Sequence, residues 1–118
     1  MIRKAQGSFM KVGYSGSGLS NGNAASLDSS GNAVIADNTS TPSNECVGFI
    51  RHLESDHAIV QVDGELQLTS TVSGQEYWLS SLGNITNTVP TSGIIQKVGI
   101  GLPNNKLLVK IDRTTITL

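Results

Sequence analysis

The chain has 118 residues, a formal net charge of -1 and one cysteine, so it is long enough for one hydrophobic core and has no intrachain disulfide to help hold it. Charged residues make up only 14% of it, against roughly 25% in ordinary soluble proteins, and Ser, Thr, Asn and Gly take their place. Such a surface is solvated by hydroxyls and amides, and it supplies no field to draw the chain onto nucleic acid or an anionic membrane. The opening MIRKAQGSFM lacks the apolar centre of a signal peptide, and no run approaches the ~18 apolar residues of a membrane span. Synthesis in a cytoplasm is therefore expected, and the sequons at Asn38 and Asn84 carry no glycosylation meaning there.

Taken in order, Met1–Gly7 has no usable periodicity and reads as an N-terminal arm ahead of a β domain over 8–118. Ser8–Tyr14 alternates as a first strand, and Ser15–Asn23 is a glycine-rich loop. Ala24–Leu27 and Ala33–Ala36 form a small hairpin about the Asp28–Asn32 turn, where Asp bonds its own backbone and Gly takes a positive φ. Asp37–Asn44 is a second loop. Glu45–Leu53 and His57–Leu68 make a longer pair across Glu54–Asp56, with a bulge or secondary turn at Asp63-Gly64. Glu76–Leu79 is an aromatic strand, Leu82–Asn84 a turn, Ile85–Thr88 a short run, and Pro90–Gly93 another turn. Ile94–Leu102 and Lys106–Asp112 then flank Pro103–Asn105 as a hairpin, and Arg113–Leu118 is a terminal run of strand formers.

The two halves repeat each other. Leu27, Gly31 and Asn32 fall on Leu79, Gly83 and Asn84 at a spacing of 52, and Val47-Gly48 falls on Val98-Gly99 at 51. Further on, Ile59–Val62 overlays Leu108–Ile111. The half-repeats run approximately 24–68 and 74–112. Two copies are too few for a solenoid, whereas a pseudo-symmetric sandwich or barrel uses two well. The fold expected is all-β, a single-domain β-sandwich or β-barrel with an internal pseudo-duplication. Gly48 and Gly99 lie inside apolar strands, where glycine marks a bend or a close backbone approach. Equivalent bends in both halves would curl a sheet.

Residues that could carry chemistry are sparse. His52, Glu54, Asp56 and His57 cluster about a predicted hairpin tip with no third ligand at a recognisable spacing, so a solvated tip is the expectation and no metal site is assigned. No Gly-x-Ser-x-Gly elbow is present, and the glycines of 13–18 precede no helix that could complete a phosphate cradle. Cys46 sits in an apolar run and reads as a small buried hydrophobe. Tyr77 and Trp78 are adjacent in a strand, so one points in and the other out, a core anchor beside a rim residue before a carbohydrate platform. No catalytic or cofactor-binding residue is expected.

The stretch 74–112, with Gly-x-x-Tyr-aromatic-Leu, a Gly turn, a Thr-rich run, Pro and then Val-Gly-x-Gly-Leu, resembles a β-module of tailed-phage virion proteins. The upstream ASLDSSGNAVIADNTSTPSNECVGFI is similar to its companion half, and the likeness covers roughly Ala24 to Asp112. Such modules occur in head decoration (cement) proteins and in tail-fibre or receptor-binding proteins. The resemblance implies a β-sandwich or β-barrel, a homo-oligomer with a trimer ahead of a dimer, no enzymatic activity and no cofactor. A chain that is little more than the module points to the decoration protein, on the outer surface of the virion head against the major capsid protein. The candidate capsid or oligomer contacts are then Met1, Ile2, Arg3 and Lys4 of the arm and Arg113, Thr114, Ile116 and Leu118 of the tail. The other readings are a tail module that binds a host surface glycan through Tyr77 or Trp78, and an enzyme or metal protein built on His52–His57.

Overall fold

The computed structural model describes residues 7–14, 18–39 and 44–118, so Met1, Ile2, Arg3 and Lys4 lie outside the described residues. The described residues contain strands and no helix, in the order β1 (Phe9–Val12), β2 (Ala24–Leu27), β3 (Ala33–Ile35), β4 (Gly48–Leu53), β5 (Ala58–Gln61), β6 (Asp63–Gln67), β7 (Glu76–Leu79), β8 (Ile85–Thr86), β9 (Ile94–Ile95), β10 (Lys97–Leu102), β11 (Lys106–Lys110) and β12 (Ile116–Thr117). They form two five-stranded antiparallel sheets, β1-β5-β4-β2-β3 and β6-β11-β10-β7-β8, with β9 and β12 as a separate ribbon.

The two sheets have one topology. Replacing β1, β2, β3, β4 and β5 by β6, β7, β8, β10 and β11 turns the first order into the second. The registers agree as well. Leu27 faces Ala33 where Leu79 faces Ile85, and Ala25 faces Gly48 where Tyr77 faces Gly99. Each module therefore comprises a strand on the near side of its hairpin pair, and β6 belongs to the second module, not to the end of a 24–68 repeat. The return strands correspond two residues away from the sequence overlay, since Phe49 faces Gln61 where Ile100 faces Leu108. The cause is a register irregularity between Ile50 and His52 and a longer tip between Leu53 and Ala58. A slip of two leaves every side chain on its original face.

Two runs that the sequence presents as single strands are broken at a glutamine. The run 57–68 divides between Gln61 and Asp63, where the chain leaves the first sheet and enters the second. The buried Gln61 side chain holds that corner, donating 2.8 Å hydrogen bonds to the carbonyls of Asp63 and Glu65 and accepting one from Arg51. Likewise, Ile94–Leu102 divides at the buried Gln96, between β9 and β10. The sequence marks the first break as a bulge or secondary turn at Asp63-Gly64, whereas apolar composition conceals the second, because a buried amide replaces ladder hydrogen bonds only after its partners are in place.

The first module folds around Ala25, Ala33, Ile50, Ala58 and Val60, with Met10, Val12, Tyr14 and Leu19 packed against them. A parallel bridge between Tyr14 and Ala33, made by the Ala33 amide donating to the Gly13 carbonyl at 2.8 Å, brings its two edge strands together at one corner. The second core contains Leu66, Tyr77, Leu79, Val98, Leu107 and Val109. Ala24 and Phe49 of the first module join it, so the two modules share a core rather than touch across a surface. Phe49 is fully buried, a contribution of about 1.5–3 kcal/mol from one side chain.

Gly48 and Gly99 occupy equivalent positions of close strand approach in the two sheets. A Cβ on Gly99 would lie 2.4 Å from the Leu108 carbonyl oxygen, and one on Gly48 would lie 2.7 Å from that of Gln61. In both places the neighbouring strand approaches closer than any side chain allows. Gly99→Ala is expected to destabilise the protein by about 1–3 kcal/mol, because backbone must move to admit the methyl. Urea unfolding checks this: the midpoint falls with an unchanged slope, and an unchanged midpoint would show that the close approach is not required.

Candidate functional site

The hairpin tip between β4 and β5 carries the ionisable cluster. His52 contacts Glu54 at 3.1 Å and His57 contacts Asp56 at 2.7 Å, each a local pair on an exposed turn. The His57 hydrogen bond, with its charge, holds the Asp56 carboxyl below its usual range. Among the described residues no three His, Cys, Asp or Glu side chains converge on a point that could hold a metal ion.

The aromatic pair divides as strand alternation requires. Tyr77 points into the second core and its hydroxyl accepts a 2.8 Å hydrogen bond from the Val72 amide, while Trp78 is half-buried on the outer face opposite Lys97. A stacking platform would rest on Trp78 alone.

The tail is held by its own chain. Arg113 pairs with Glu45 at 3.1 Å, and the Thr114 amide donates to Asp112 at 2.9 Å. Ile116 and Thr117 then pair with Ile95 and Ile94, and the Leu118 amide donates to the Gly93 carbonyl at 2.8 Å. The polar side of this arrangement is satisfied, yet Ile116 is 59% and Leu118 60% exposed, two residues apart on one face. The outer edge of β12 has no strand partner among the described residues. The structure docks this terminal run along β9 of its own chain, with Ile116, Thr117 and Leu118 all exposed.

A groove of about 630 Å³ runs beside the second module, between the chain after β6 and the start of β8. Asn21, Gln67, Thr69, Ser70 and Asn84 line it with amides and hydroxyls, and Arg51 is its one ionisable side chain among the described residues. Arg51 is already engaged by Gln61 and lies 5.9 Å from the centre of the Phe9 ring. Ile50, Leu66, Leu68 and Ile85 add apolar wall of similar extent, so the lining suits a neutral partner with both polar and apolar surface. Sequence reading missed it because its two walls come from both modules.

Cys46 is buried at the joint. Its thiol donates to the Gly48 carbonyl at 3.2 Å, and burial pushes its pKa from 9.0 up to about 12, only partly opposed by that hydrogen bond. Below pH 9 the thiol is protonated in folded and unfolded chains alike, so its contribution to stability is intact. Between pH 9 and about 12 the unfolded chain releases a proton that the folded chain keeps. Stability then falls by up to about 1.4 kcal/mol per pH unit. Denaturant titrations from pH 8 to 11 are expected to show a shallower alkaline loss for Cys46→Ala than for the parent, whatever the packing cost at neutral pH. Equal slopes would contradict a buried, protonated thiol.

Comparison with protein-family models, with curated proteins and with solved structures found no match to this chain.

Proposed function

We propose that this is a non-enzymatic virion protein, a decoration protein that binds the outside of a tailed-phage head as a homo-oligomer and stabilises contacts between capsomers. The observation that carries the reading is the β12 edge, where Ile116 and Leu118 are presented outward on a strand already fixed by its own chain. A fixed edge spends little ordering entropy when it binds, and an edge strand adds to a neighbouring sheet through main-chain hydrogen bonds. The likeness of residues 24–112 to phage virion modules supplies the partner class, the major capsid protein. A cement protein works by burying small areas on several shell subunits at many equivalent sites, and the summed contacts resist pressure from packaged DNA. The low charge of the surface makes such contacts insensitive to salt.

The half-exposed Trp78 favours a second reading, a tail or receptor-binding module that stacks a host surface glycan on that ring. Copy number separates the two. Quantitative gel densitometry of purified particles against the major shell protein is expected to give a ratio fixed by lattice symmetry, and Ile116→Ser with Leu118→Ser, at exposed side chains that leave the β12 backbone pairing in place, is expected to lower that occupancy while leaving the thermal midpoint nearly unchanged. A handful of copies per particle would sink the decoration reading and direct attention to Trp78.

A further inference from the structure

Inside this chain one module plugs the other. The row Phe9–Gln61–Phe49–Ala24 crosses the outer face of the first sheet, and from it Phe49 and Ala24 enter the core of the second module. They help seal Leu66, Leu79, Val98 and Val109, which are 3%, 0%, 0% and 2% exposed.

The shared register gives the counterpart of each of these groups. Leu66, Leu79, Val98 and Val109 correspond to Met10, Leu27, Val47 and Val62 of the first module. None of those four is fully buried. Leu27 is 36% exposed, and all four line an open groove of about 610 Å³ with the Glu45–Arg113 ion pair at its side. The counterpart of Phe49 is Ile100, which is 37% exposed in the row Glu65–Leu108–Ile100–Glu76 across the outer face of the second sheet. Ion pairs flank that row, Lys97–Glu76 at 2.6 Å and Lys106–Glu65 at 3.6 Å. An apolar centre with a charged margin is how the core and rim of a protein interface are built.

The chain therefore carries one filled plug-and-socket joint, one empty socket and one free plug, all of a single design. We propose that the empty socket at Met10, Leu27, Val47 and Val62 takes the Ile100 face of a second copy of this chain, reproducing between molecules the joint made within each. The contact is heterologous, one surface against a different one, so it closes into a ring or runs on as a filament. Ile111 borders both the socket groove and the groove at Ile100, so plug and socket adjoin on each molecule. The proposal rests on the self-association in the functional reading above and not on attachment to a capsid.

Cysteine pairing tests it directly. Full-length Leu27→Cys and Ile100→Cys variants are mixed and air-oxidised, with Leu82→Cys, at an exposed turn, replacing Leu27→Cys in the control. Cys46 is buried and stays out of the reaction. A disulfide-linked pair is expected in the first mixture, and neither in either variant alone nor in the control. By sedimentation, Ile100→Asp is expected to weaken self-association at least about tenfold, as loss of an interface anchor does. Leu27→Asp is expected to do the same from the other side, which keeps the test valid if one variant does not fold. An oligomer that forms no Leu27–Ile100 link and tolerates both aspartates overturns this contact while leaving self-association standing. A chain monomeric at every concentration overturns both.

Discussion

The joint between the modules is the constraint on which the rest depends, and a single amide organises its polar part. The Gln96 side chain accepts from the Cys46 amide at 2.7 Å and donates to the carbonyls of Cys46 and Asp112 at 2.9 and 3.0 Å. Its own carbonyl accepts from the Leu79 amide at 2.9 Å. One buried residue thus ties the approach to β4, the exit from β11 and the end of β7. The Cys46 and Leu79 groups belong to fully buried residues, and leaving such a group unpaired costs about 1–3 kcal/mol. The β9–β10 break follows from this, because Gln96 serves the joint and not the ladder.

Around the joint the two cores solve one packing problem with opposite choices. At the register position where the first module has Ala25, the second has Tyr77; where the first has Ile50, the second has Gly101. Large and small residues are exchanged between neighbouring strands. A Cβ on Gly101 would come within 3.3 Å of the Tyr77 ring, so the glycine makes room for the aromatic. Interiors close to crystal density accept such paired exchanges and resist single ones. Tyr77 also gains a polar anchor through Val72, whose carbonyl passes 2.0 Å from where a Gly101 Cβ would be. That close passage locks the 72–77 loop over the end of β10.

The all-β class, the duplication and most strands were legible in the sequence because they rest on local signals: Gly-Asn turns, branched alternation, and glycine inside an apolar run. Asn104 and Asn105 take φ of 66° and 61° at the β10–β11 tip, as the Pro-Asn-Asn motif implied. What stayed hidden is relational. Gln61 and Gln96 look like ordinary polar residues until their carbonyl partners, up to 50 positions away, come into place. The assignment of β6 to the second sheet was hidden too, since nothing local in 57–68 says which edge a strand will join. The socket residues are apolar at positions where the repeat is apolar, so sequence marks them as core. Only exposure distinguishes Leu27 from Leu79.

Why the modules differ follows from how each treats its seam. In the first, the chain after β1 continues across to β3 through the Tyr14–Ala33 bridge, closing the sheet on its own loop. The corresponding stretch of the second, Thr69 and Ser70 opposite Ile85, instead borders the open groove. There the chain is held on the β10–β11 hairpin, where the Leu68 amide donates to the Asn105 carbonyl at 2.9 Å and the Thr71 hydroxyl to the Lys106 carbonyl at 2.8 Å. Drawn to that tip, it leaves the second sheet without the corresponding bridge, and on that side Ala24 and the Gly83 turn meet, the Ala24 amide donating to the Gly83 carbonyl at 2.8 Å. The departure from symmetry at 68–71 thus lies on the side where the two modules meet, and the shared core gives each small sheet burial that neither is large enough to build well alone.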